Sequence, residues 1–211
     1  MTFDTSAKAE STQWPLFRGR ALRANLPTLH VDRFITLPHD DAAYKNAPWG
    51  KLEAWLGARL GTGMIITLDG IRGTGKTQVA VNLACWDIIV RIRGDDRRQP
   101  LYFKARELFA FIKGTYRKES SRTETEAVAA IVSASLLIID EIQERGETAY
   151  EDQILTHIID KRYDARRDTL ILSNLTRGEL LTALGPSIVS RISECGKSIT
   201  CTWPSFRGGG K

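Results

Sequence analysis

Residues Gly70-Ile-Arg-Gly73-Thr74-Gly75-Lys76-Thr77 make a complete G-x-x-x-x-G-K-T pattern, and that pattern has a definite chemistry. Glycine backbone can take φ > 0 and turn its N–H groups inward on a phosphate chain. Lys76 can then reach the β- and γ-phosphates, and the Thr77 hydroxyl can hold Mg²⁺. Gly70, Gly73, Thr74, Gly75, Lys76 and Thr77 are therefore candidate ligands, with ATP and Mg²⁺ as the implied cofactors. Farther along, Leu136-Leu-Ile-Ile139 runs into Asp140-Glu141. Asp140 can hold the metal through water, and Glu141 can polarise the water that attacks the γ-phosphate. Taken alone, these acids would serve equally well as the cap and first-turn acid of a helix. Beyond a phosphate loop, hydrolysis is the better reading. Two further residues could join them. Asn174 closes the apolar run 169–172 and can aim its amide at the attacking water, or simply shape a strand-end turn. Arg191 stands alone in an apolar helical stretch. It is either a snorkelling surface side chain or a finger offered to a neighbouring subunit's phosphate, and spacing cannot separate the two.

These residues need elements to hold them. An apolar strand over 64–68 feeds the glycine loop, and 78–91 has helical spacing, with Val79, Leu83, Trp86 and Val90 on one side. The helix start adds a favourable field for anions. Residues 136–139 read as a strand buried on both faces, which puts Asp140 at its C-terminal end, where ligands bind in open α/β sheets. Further strands are expected over 100–104 and 169–172, with an edge strand within 195–203. Helices are expected over 49–60, 105–116, 151–163 and 177–192. One more, over 123–132, starts with a Thr123/Glu126 capping-box pattern. The alternation predicts an α/β fold: a parallel sheet with helices on both faces. Residues 1–25 read as a flexible N-terminal tail. Its Trp14 and Phe17 could dock a partner or staple the tail onto the domain. The domain itself should span 26–207, and 208–211 reads as a short C-terminal tail.

In this order the elements resemble the AAA+ ATPases of the DnaC-type helicase-loader and IstB-type transposition-helper group. The resemblance runs from about Leu26 to Arg207. Besides the two nucleotide motifs it rests on Tyr150-Glu-x-x-Ile154-Leu-x-x-Ile158-Ile159-Asp160-x-Arg162, Leu172-Ser-Asn174, Leu184-Gly185, Arg191 and Trp203-Pro-Ser-Phe206-Arg207. It implies a P-loop AAA+ core without a sizeable C-terminal lid, hydrolysing ATP to ADP and phosphate. It also implies that Asn174 is a sensor, that Arg191 is a finger acting in trans, and that Arg207 is a late arginine reaching the nucleotide. Self-association through the ATP site follows from a finger in trans. The partners implied are single-stranded DNA and a replicative helicase, or a transposase on duplex DNA under the IstB-like alternative. Only about 25 residues precede the ATPase-like part, whereas loaders of this type carry a larger helicase-gripping domain there.

Composition adds limits. The chain has 211 residues, 42% of them apolar, enough for one substantial core. No apolar run approaches the roughly 20 residues of a membrane span, and residues 1–13 lack a signal-peptide stretch. The three cysteines show no paired or metal-type spacing, so a reduced, cytoplasmic protein is expected. A net charge of +5 suggests an anionic partner. At 100° per residue, Arg106, Lys113 and Arg117 fall within about 40° of one another, and Lys118 extends the row. Leu108, Phe109, Ile112 and Tyr116 occupy the adjoining face. The basic row is either a solvated helix face or, as the resemblance implies, part of a single-strand DNA path with phosphate contacts independent of sequence. Lys161, Arg162, Arg166 and Arg167 read as a solvated helix end and loop.

Overall fold

Alternate side chains of each buried strand must find opposite faces, and the computed structural model shows where each set goes. It describes residues 13–116, 122–146 and 148–206. Five strands form one parallel sheet: β1 (Ile65–Asp69), β2 (Leu101–Lys104), β3 (Leu136–Asp140), β4 (Asp168–Leu172) and β5 (Gly196–Thr200), in spatial order β2-β3-β4-β1-β5. Ile66, Leu68, Leu136, Ile138, Leu170 and Leu172 pack on one side, beneath α1 (Gln13–Arg23), α2 (Thr28–Thr36), α4 (Pro48–Gly57) and α5 (Lys76–Arg93). Ile65, Leu137, Ile139 and Ile171 pack on the other, beneath α6 (Ala105–Lys113), α7 (Glu124–Ser133), α8 (Ala149–Asp164) and α9 (Arg177–Cys195). A short α3 (Ala42–Asn46), capped by the Asp41 carboxylate, precedes α4. This is the expected α/β architecture, with helices on both faces. Among the described residues, no helix is long and apolar enough to cross a membrane. Cys85, Cys195 and Cys201 are free thiols.

Register is what positions the chemistry. Lys104 aligns with Asp140 across β2 and β3, and Leu172 aligns with Leu68 across β4 and β1. The polar strand ends therefore share one level at the C-terminal edge of the sheet. The Thr123–Glu126 capping box is present, with Thr123 N–H donating to Glu126 at 2.8 Å and Glu126 N–H returning to the Thr123 hydroxyl at 3.2 Å. The last helix is broken at Gly185, whose φ of 77° no helix accommodates.

Three expectations need correction. Residues 13–23 are not a flexible tail: they form α1, with Phe17 and Ala21 buried. Phe17 stacks between Trp14 and Phe34, so its aromatic area goes into the domain rather than outward to a partner. Arg162 is not solvated but fully buried. Its guanidinium donates to the carbonyls of Ile131 and Ala134 at 2.8 and 3.0 Å and to the Thr169 hydroxyl at 3.0 Å. It thus satisfies the open carbonyls at the end of α7, which burial would otherwise leave unpaired. Of the four residues expected on one side of the helix after the phosphate loop, Val79, Leu83 and Trp86 are buried and Val90 is exposed.

Candidate active site

The phosphate loop owes its path to glycine. Gly70, Gly73 and Gly75 have φ of 129°, 87° and 82°, values that side chains with a Cβ rarely adopt. The loop delivers Lys76 to the first residue of α5, where open N–H groups and the helix field favour an anion. The buried Lys76 ammonium donates to the carbonyls of Gly70 at 2.7 Å and Ile71 at 2.9 Å. Burial holds it below the ordinary lysine value, partly offset by the negative charges of Asp140 and Asp69. Thr74 is buried beneath the loop, and its hydroxyl donates to the Ile71 carbonyl.

The Thr77 hydroxyl donates to Asp140 Oδ2 at 2.8 Å, so the two motifs meet. The buried Tyr102 hydroxyl donates to the same oxygen at 2.8 Å, and Glu141 N–H donates to Oδ1 at 2.8 Å. Burial and the Asp140 charge push the Tyr102 phenol well above its ordinary value, which keeps it a donor. A hydroxyl and a carboxylate at contact distance are the hard oxygen ligands that suit Mg²⁺. The residues present fit the metal that the motifs imply.

Glu141 occupies a left-handed conformation, φ 53° and ψ 47°, unusual for a side chain of this kind. The turn sends its carboxylate towards β2, where Lys104 pairs with it at 2.8 Å. That contact holds the Lys104 ammonium above its usual value. Sequence reading missed Lys104; the only available signal was its place at the end of β2. Asn174 lines the same cleft, and its N–H donates to the Gln143 side chain at 3.3 Å, as does the Ser173 hydroxyl at 3.1 Å. Gln143 thus ties the turn after β3 to the turn after β4.

The cleft has a volume of about 790 Å³ and is shared by Lys76, Thr77, Lys104, Asp140, Glu141 and Asn174. Its far wall is N-terminal: His30, Arg33, Leu37, Pro38, Tyr44 and Trp49. Behind that wall, buried Glu53 accepts from the Tyr44 hydroxyl at 2.6 Å, Asn82 at 2.8 Å and Trp86 at 3.0 Å. Burial works against the Glu53 charge, but these bonds and His39 together keep its carboxyl below the ordinary value.

The remaining candidates lie elsewhere. Arg191 is not among the cleft-lining residues; it pairs with Asp160 at 3.3 Å and lies over the Tyr163 ring. Arg106 is exposed on α6. Lys113 pairs with Glu151 at 2.7 Å, so this end of the expected basic row has a carboxylate of its own. Arg117, Lys118 and Arg207 lie outside the described residues.

Comparison with known proteins gives a consistent picture. The family model described as IstB-like ATP binding protein matches residues 61–191. The replicative helicase loader DnaC of Buchnera aphidicola subsp. Acyrthosiphon pisum is 31% identical over 141 residues, covering 66% of this chain and 54% of that protein. DnaC of Escherichia coli K12 is 29% identical over the same length. The chain thus spans about half the length of the curated relatives it matches. Among solved structures, a crystal structure of the DnaC helicase loader superposes with a TM-score of 0.58 at 20% identity, covering 74% of this chain and 91% of that one. AMPPCP-bound DnaA from Aquifex aeolicus superposes with a TM-score of 0.59 at 18% identity, covering 74% and 45%. At those identities the likeness is one of fold.

Proposed function

The chain belongs to the IstB-like ATP-binding family, and from that premise we propose that it hydrolyses ATP to help place a replicative helicase on single-stranded DNA. The observation that carries the ATPase part is the meeting of Thr77 with Asp140 at 2.8 Å, with Glu141 and Asn174 on the same cleft. Loop N–H groups and Lys76 bind the phosphate chain. Thr77 and Asp140 would hold Mg²⁺, which when bound neutralises charge on the β- and γ-phosphates. Tyr102 fixes the orientation of Asp140 from behind. Glu141 takes a proton from the attacking water once Lys104 releases its carboxylate, while the Asn174 amide orients that water. Arg191 does not line its own cleft and is half-exposed beside Asp160, which suits a cation given to a neighbouring subunit, where it stabilises the γ-phosphoryl charge. Arg106 supplies one contact to DNA phosphates.

The helicase-loading part rests on the DnaC relatives. The IstB-like adaptor reading, in which ATP controls assembly with a transposase on duplex DNA, has the family model in its favour. One experiment separates them: ATP-dependent co-assembly of the purified chain with the replicative helicase of the same genome, on single-stranded and on duplex DNA. Loading that needs ATP and single strands, and that fails with Lys76→Ala, is the expected result. Binding to duplex alone, with no helicase retained, favours the adaptor.

A further inference from the structure

The chain leaves β5 and doubles back along the phosphate loop. Cys201 N–H donates to the Asp69 carbonyl at 2.7 Å, the Trp203 indole to the Thr74 carbonyl at 2.6 Å, and Phe206 N–H to the Gly73 carbonyl at 2.9 Å. The end of β1 and two residues of the loop are thus tied to one segment. The segment ends by laying the Phe206 ring against Gly75, so close that a Cβ there would lie 3.0 Å from the ring. Trp49 meets Phe206 edge-on, with centroids 4.7 Å apart and planes at 78°. Edge-to-face support of this kind fixes a ring while leaving a face of it free. Phe206 remains 53% exposed and lines the cleft.

A large apolar ring left open to solvent beside a phosphate site is unfinished surface. The cleft is of the size that takes a whole small ligand, well beyond a phosphate chain alone. The cleft runs on from Lys76 past Gly75 to the N-terminal wall, so a nucleotide held by its phosphates at Lys76 has room there for its ribose and base. Among the described aromatic residues of the lining, His30, Tyr44 and Trp49 are partly buried and Phe206 is the most exposed. We propose that Phe206, carried onto the phosphate loop by the segment 201–206 and backed by Trp49, is the platform on which the nucleobase of the bound nucleotide stacks. Every base has a π face, so the platform adds affinity for ATP and GTP alike and does not choose between them. The proposal rests on the ATP-site reading above.

The test compares equilibrium binding of Mg·ATP, Mg·GTP and Mg·tripolyphosphate, which lacks base and ribose. Phe206→Ala should weaken ATP and GTP by roughly 5- to 150-fold, the range for losing one base–aromatic stack, and leave tripolyphosphate unchanged. Phe206→Tyr should restore the wild-type ratio of ATP to tripolyphosphate binding, which excludes a folding defect. Trp203→Phe removes only the indole donor to the loop and should weaken all three ligands together. Equal loss of ATP and tripolyphosphate in Phe206→Ala would overturn the proposal and leave Phe206 as a loop strap. No loss of either would overturn it as well. Wild-type protein that bound neither ATP nor tripolyphosphate would remove the ATP site itself, and the platform with it.

Discussion

Lys76 and Lys113 are both helix-terminal lysines that the sequence marks as anion ligands, yet the structure gives them different surroundings. Lys76 opens α5 inside a loop whose path is set by glycines, and backbone carbonyls and the nearby Asp140 surround it. Lys113 closes α6 on the outer surface and pairs with Glu151 from a distant helix. At the sheet edge, ligand positions follow from backbone geometry, and the cleft leaves room for a phosphate chain. On the α6 face, the signal is a row of charges at helical spacing together with a family resemblance, and a carboxylate of the same chain already answers part of it. Lys113 is half-exposed, but Glu151 is buried and also accepts from Gly146 N–H at 2.6 Å, so the carboxylate that Lys113 meets is fixed in place rather than a loose surface partner.

Arg191 offers the sharpest way to break the comparison, because it too is a surface cation with a partner, Asp160. Arg191→Ala should bind ATP normally but turn it over 10³- to 10⁵-fold more slowly, roughly the range for arginine fingers. Mixing it with Lys76→Ala subunits, which keep an intact finger but leave their own site largely empty at an ATP concentration that saturates Arg191→Ala, should raise turnover above that of either variant alone. A flat response at all ratios, with mixed assemblies confirmed by crosslinking, would leave Arg191 as a structural arginine. Lys76→Ala alone should cost roughly 10- to 150-fold in ATP affinity, the range for removing a charge-assisted contact, read by equilibrium binding. The smallest effect belongs to α6. Arg106→Ala should lower the log–log salt slope of single-strand binding by about 0.7, with anisotropy as the readout. Lys113→Ala should change it less, because Glu151 competes for that ammonium. An equal change in both slopes would erase the distinction between the two regions on this helix.

How much of this could be read beforehand follows the same division. The strands announced themselves through apolar runs, and the loop, Asp140 and Glu141 through motif spacing, because each depends on neighbours in sequence. The Thr123 capping box was legible for the same reason. Lys104, Gln143 and Tyr102 were not, since each meets its partner only after distant strands align. Nothing local to Arg162 reveals that the carbonyls at the end of α7 need its guanidinium, so its basic neighbours in sequence do not distinguish it from a solvated side chain. Residues 13–23 carry little amphipathic signal, and the burial of Phe17 depends on Phe34 from another helix.

The central claim is that the cleft at the sheet edge both binds and hydrolyses ATP, with Glu141 as the base. Glu141→Gln tests it most directly, with ATP affinity and phosphate release measured on the same preparation. The account predicts affinity near wild type, since the phosphate and metal ligands are untouched, and turnover lowered by roughly 10²- to 10⁴-fold. Turnover at the wild-type rate would contradict it.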